Sequence, residues 1–286
     1  MDVAANWRPM GLRLQRGWWL LIALGVMAIP TVEILYRQEW TLDFGAYGPI
    51  VLATGAWLLG RQAGDLSAHA KPGPDWLTFP LLLAGMALYL VGRTLDFPTL
   101  DTAGIYVVGL AILCRKVGPA AMRRAWFPLL YLALVIPVPQ SLLAEATAPL
   151  KTFVSYVSTG VLSHLGVPVV RQGVTIFVAQ YQLLVEDACS GMNSIVGLIA
   201  VGLLYVYLMR GASAAYSAVL VALVVPIAIL TNILRIMTLI LLTYYGGDAV
   251  AQGFLHFTAG MVLFAAALGL VFLLDTLLHR FFRTAA

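Results

Sequence analysis

Residues 214–244 read AAYSAVLVALVVPIAILTNILRIMTLILLTY, an apolar run interrupted by one charge, Arg235. At ~1.5 Å per residue, a helix of that length outreaches the roughly 30 Å hydrocarbon core of a bilayer. Similar runs lie on either side, at 18–36, 45–60, 76–95, 98–114, 126–143, 190–209 and 256–278. The length rule therefore predicts about eight transmembrane helices and an all-α polytopic membrane protein. The whole chain agrees: of 286 residues, 61% are hydrophobic and 10% charged, against about 25% charged in a soluble domain. A surface so poor in charge needs the lipid bilayer as its solvent. No internal repeat is visible, which disfavours a transporter built from two inverted halves.

The net charge of +4 does not point to nucleic acid. The basic residues stand as singles and pairs between apolar runs, the pattern that orients membrane helices. With the amino terminus in the cytoplasm, Arg8, Arg13, Arg16, Arg61, Lys71, Arg115, Lys116, Arg123, Arg124, Arg210, Arg280 and Arg283 fall on the cytoplasmic side. Only Arg37, Arg93, Lys151 and Arg171 fall on the far side. Both termini are thus expected in the cytoplasm. Residues 1–17 precede the first run without a clear cleavage site, so that run reads as an uncleaved span. Cys114 then lies near the cytoplasmic face and Cys189 near the outer face, and no disulfide between them is expected.

Segment 144–188 breaks the pattern. Leu143, Ala146, Leu150, Phe153, Val154, Val157, Val161 and Leu165 recur at helical spacing, with Glu145, Lys151, Thr152, Ser155 and Ser158 between them. This predicts an amphipathic helix on the periplasmic membrane surface. The β-branched stretch from Val167 to Val185 follows, with turn candidates at Gly173 and Ala179-Gln180. It predicts a small β-hairpin before the sixth span, feeding into Glu186-Asp187-Ala188-Cys189.

Three polar groups share one expected height. Cys189 lies 23 residues before Ala212, in the short turn between the sixth and seventh spans, and Arg235 lies 23 residues after it. Both are then about 34 Å from that cytoplasmic turn. His256, 24 residues before Arg280, stands about 36 Å up the last span by the same rise. A thiolate attacks an acyl carbon, and a helix amino terminus after Cys189 can lower its pKa. An imidazole can move the proton, and a guanidinium can hold a carbonyl or oxyanion. Taken singly, each has a plainer reading: Cys189 as inert filler, His256 as an interfacial polar group, Arg235 as a structural counter-ion. Cys114 reads as filler. Asn193 and Ser194, one turn from Cys189, donate either to an oxyanion or between helices, and Asn232 beside Arg235 has the same two readings. Asp187 caps the sixth helix or orients the histidine. Glu33 and Arg37 form an i,i+4 pair. His69, His164 and His279 have no evident partner in the sequence.

At these residues the chain resembles the exosortase and archaeosortase family. Ala188-Cys-Ser-Gly-Met-Asn-Ser194 is similar to its cysteine motif, Asn232-Ile-Leu-Arg-Ile236 to its arginine motif and Phe254-Leu-His-Phe-Thr-Ala-Gly260 to its histidine motif. Ile136-Pro-Val-Pro139 and the hairpin fit the layout. The likeness covers roughly 125–278; the first four spans match only in being hydrophobic. The chain then reads as one integral membrane domain, 1–286, with N-terminal spans in 1–124 and an exosortase-like core in 125–278. Many members have arginine at the place of Asn193.

The resemblance implies a cysteine protease or transpeptidase of the bacterial inner membrane with its site at the periplasmic face. Cys189 is the nucleophile, His256 the acid/base and Arg235 the carbonyl or oxyanion ligand. It implies membrane-anchored protein substrates with a C-terminal Pro-Glu-Pro-like sorting signal, an unidentified acceptor, an association with exopolysaccharide production, and no cofactor or metal. Two alternatives stand beside it: a membrane thiol protease that hydrolyses with water, and a non-enzymatic component of polysaccharide export.

Overall fold

A computed structural model describes residues 18–40, 47–184, 192–208, 214–247 and 254–283. Of the described residues 82% are helical, and the chain divides into two compact units, Met1–Pro139 and Gln140–Ala286.

The first unit holds α1 (Trp18–Ile34) running into a π-helical turn (Leu35–Trp40), α2 (Gly48–Arg61), α3 (Ala63–Ala68), α4 (Asp75–Thr94), α5 (Pro98–Arg124) and α6 (Trp126–Ala133). Its most intimate contact is α4 against α5. A methyl added to Gly92 would lie 2.7 Å from the Asp101 Cα, and one added to Gly104 would lie 2.7 Å from the Tyr89 Cα. Small residues let two helix backbones touch where lipid offers no hydrophobic drive for association. Asp101, 1% exposed, ties the same end to α1. It accepts from Thr31 Oγ1 at 3.1 Å and lies 3.4 Å from Arg93 Nη1. The exposed Glu33–Arg37 pair closes at 3.0 Å. Cys114 is buried, with its carbonyl accepting from the Gly73 N–H.

The second unit holds α7 (Gln140–His164), three strands, α8 (Met192–Leu208), α9 (Ala214–Gly246) and α10 (Phe254–Arg283). The strands β1 (Val169–Gln172), β2 (Thr175–Val178) and β3 (Tyr181–Leu184) form an antiparallel meander. The expected hairpin is therefore two hairpins, and both turn candidates are used. Gly173 and Ala179 each open a two-residue turn with positive φ, 66° and 51°. A left-handed first residue is the signature of a type II′ turn, whose twist suits paired strands. At the end of α7, Gly166 takes φ 83° and the Val167 N–H reaches the Leu162 carbonyl at 3.0 Å, so the chain leaves the helix toward β1. Ile176 and Val178 of the sheet then pack with Val154 and Leu162 of α7 against Ile236, Leu239 and Ile240 of α9.

Three expectations need correction. The fifth span, 126–143, is not one helix. α6 ends at Ala133 and α7 begins at Gln140, because Pro137 and Pro139 lack amide donors and disfavour helix in the residues before them. α2 has only 14 residues, about 21 Å of rise, short of a full span. Four helical segments among the described residues are long and apolar enough to cross a membrane: Trp18–Trp40, Asp75–Thr94, Pro98–Arg124 and Ala218–Gly246. Among the described residues, Ile199–Leu208 and Ala265–Leu277 add shorter apolar helices.

The third correction is the face of α7. Ser155 and Ser158 were expected on its polar, watery side, yet both are fully buried, while Leu142, Phe153, Tyr156 and Val161 are exposed. The serines are small enough to let α7 close on α9 beside the buried Val154 and Leu162, and only part of the expected apolar face is turned inward.

Candidate catalytic site

Arg235 sits in α9, 9% exposed, beside Ile236 in the core shared with α7 and the sheet. Asn232, one turn earlier, is 3% exposed. Burying an arginine in an apolar span is costly, and both residues are engaged by interactions within the protein. His256 is the third residue of α10, and Asn193 and Ser194 lie in the first turn of α8. The side chains of these three lie outside the described residues, as do Asp187 and Cys189 entirely. Cys189 precedes the first described residue of α8, Met192, by three positions.

The far ends of the same three helices are tied together by a buried group that the sequence reading passed over. Asp275 of α10, 6% exposed, accepts from Tyr205 Oη of α8 at 2.6 Å. Its other carboxylate oxygen accepts from Tyr216 Oη of α9. A lone carboxylate in the last apolar run was the available signal, since charges inside spans pair with a neighbour or line a site. Above this knot the helices pack through Val224, Ile227 and Ala228 of α9 and Ala267 and Val271 of α10.

These contacts fix the helix registers. Arg235 lies nineteen residues beyond Tyr216, and His256 lies nineteen residues before Asp275. On antiparallel helices of equal rise, the two backbone positions are level to within about a turn, roughly 28 Å from the knot. Gly202 of α8 abuts Val224 of α9, where an added methyl would stand 2.9 Å from Cγ2. Eleven residues on from Val224 is Arg235; eleven back from Gly202 is position 191, two residues after Cys189.

The arginine segment has a wall on its other side. Ser158 Oγ donates to the Ile233 carbonyl at 3.4 Å. Val154 and Leu162 share a core with Ile236. The inner face of α7 therefore lies along the stretch of α9 that carries Asn232 and Arg235.

A helical membrane protein with a buried arginine in an apolar helix, next to a residue that packs on an adjoining helix and a small meander, is the class these features define. The family model for transmembrane exosortases matches residues 39–273, and the chain belongs to that family. The match also extends the likeness read from the motifs, which began near residue 125, back to the end of the first span. No curated protein and no solved structure matches the chain. Exosortases are generally cysteine transpeptidases, so membership suggests a role in protein sorting.

Proposed function

We propose that this chain is a cysteine transpeptidase of the bacterial inner membrane, cleaving the C-terminal sorting tail of exported, membrane-anchored proteins. The Cys189 thiolate attacks the scissile carbonyl. The carbon–nitrogen bond breaks, His256 returns the thiol proton to the departing amine, and a thioester remains. An acceptor nucleophile then takes the acyl group and frees the sulfur. Arg235 holds the carbonyl oxygen as it gains charge, in a setting where little water competes for it. Both termini face the cytoplasm and the site opens at the periplasmic face, a reading supported by the bias of Lys and Arg.

The observation that carries the proposal is the shared level of Arg235 and His256 on α9 and α10, at the same height as the start of α8, just after Cys189. The test is Cys189→Ala in cells that express a tail-bearing substrate. The variant should fold and insert while uncleaved substrate accumulates; normal processing would remove the cysteine mechanism. Mass spectrometry of the new carboxyl terminus separates transfer, which leaves an amine-linked group, from hydrolysis, which leaves a free acid.

A further inference from the structure

Ser155 is the exception among the buried hydroxyls of its helix. Along α7, Thr147, Thr152 and Thr159 each turn the hydroxyl back to the carbonyl four residues earlier, at 2.5, 3.0 and 2.8 Å. That is the ordinary way for a helical hydroxyl to be satisfied where water is scarce. Ser158, one turn from Ser155 on the same face, reaches the Ile233 carbonyl of α9. Ser155 does neither. It is fully buried, and its Oγ has no hydrogen-bond partner among the described residues. A buried polar group left unsatisfied costs about 1–3 kcal/mol, so the position is unfavourable for the empty protein. Alanine or the self-bonded threonine found elsewhere on the helix would avoid that cost.

The location suggests what the hydroxyl is kept for. Val154 on one side of Ser155 packs in the same core as Ile236, the neighbour of Arg235. A peptide bond presented for thiol attack must be extended, and its flanking amides have lost their helical partners. In a setting poor in water the protein has to supply replacements. We propose that Ser155 is a substrate-binding residue. Its hydroxyl, in the seam between α7 and the arginine segment of α9, hydrogen-bonds the backbone of the sorting segment beside the scissile bond. This inference rests on the transpeptidase reading above.

The experiment uses the full chain in detergent and a synthetic peptide joining a Pro-Glu-Pro-type signal to an apolar helix. Ser155→Ala should raise KM about tenfold, the ~1.4 kcal/mol of one hydrogen bond, with kcat within about twofold. Its thermal midpoint should stay level or rise, because the hydroxyl stabilises nothing in the free protein. Ser155→Cys keeps the volume with a poor donor and carries the same KM expectation should the alanine variant not fold. Ser158→Ala, whose hydroxyl already has a partner, should leave KM within about twofold. An unchanged KM in the Ser155 variants overturns the assignment and leaves the enzyme reading standing, as does a lower thermal midpoint with KM unchanged, which marks a packing residue. Failure of the unmodified protein to cleave the peptide sinks the transpeptidase reading itself, and the Ser155 assignment with it.

Discussion

The Tyr216 hydroxyl of α9 donates to the Asp275 carboxylate of α10, and Arg235 and His256 lie the same number of residues from that bond on the two helices. Two antiparallel rods pinned at one end keep equal lengths level at the other. Tyr205 adds the third rod, α8, to the same pin.

Asp275→Leu should therefore lower thermal stability in detergent. Hydrogen bonds between membrane helices contribute about 0.6–1.7 kcal/mol each, so losing two should cost roughly 1–3 kcal/mol. Asp275→Asn keeps an acceptor and should lose less than half as much. Melting curves of the two variants check the order; equal losses would mean that the pin is not made by these bonds.

Arg235→Lys keeps the charge but replaces a planar fork with a point donor. If the guanidinium serves the oxyanion, turnover should fall roughly a hundredfold, as for other lost oxyanion donors. Steady-state cleavage of the tail peptide is the measurement. Wild-type turnover in the lysine variant would leave Arg235 a purely structural charge.

Ala179→Gly runs against the usual sign of a glycine substitution. Ala179 holds φ 51° in the β2–β3 turn, where the β1–β2 turn uses Gly173 at φ 66°. A side chain in the left-handed region costs about 1–2 kcal/mol. Part of this is offset by the freedom glycine adds to the unfolded chain, so the variant should gain about 0.5–1 kcal/mol. A lower melting temperature would contradict the turn assignment.

Gly92→Leu should separate α4 from α5. The group in its way is the Asp101 backbone, which cannot rotate aside as a side chain could. Overpacking of this kind costs about 1–3 kcal/mol, visible as a drop in the melting temperature.

Much of the architecture was legible from the chain alone, for reasons that differ from element to element. Length and hydropathy marked α1, α4, α5 and α9 because lipid solvent imposes one demand on every exposed residue. The strands were legible through their turn residues, which take positive φ, but as one hairpin and not as the three-stranded meander. The break at Ile136-Pro-Val-Pro139 was readable as chemistry, but an average over hydrophobicity carried the fifth span straight across it. The face of α7 was not legible, since periodicity tells which residues share a side and not which side is buried. For the candidate site, Arg235 declared itself as a lone charge in a span. Asp275 carried the same signal and was passed over, while Ser155 has no signature in sequence. Only its burial without a partner sets it apart from the serines and threonines around it.

The apolar groups that α7 turns outward have a practical corollary. The helix and its meander look like a compact piece to express alone in buffer, because serines and threonines dot the sequence. Ser155, Ser158 and Thr159 point inward, and the outer skin offers Leu142, Phe153, Tyr156, Leu165 and Val170. Cut free of detergent, such a fragment would present a greasy coat to the buffer and clump.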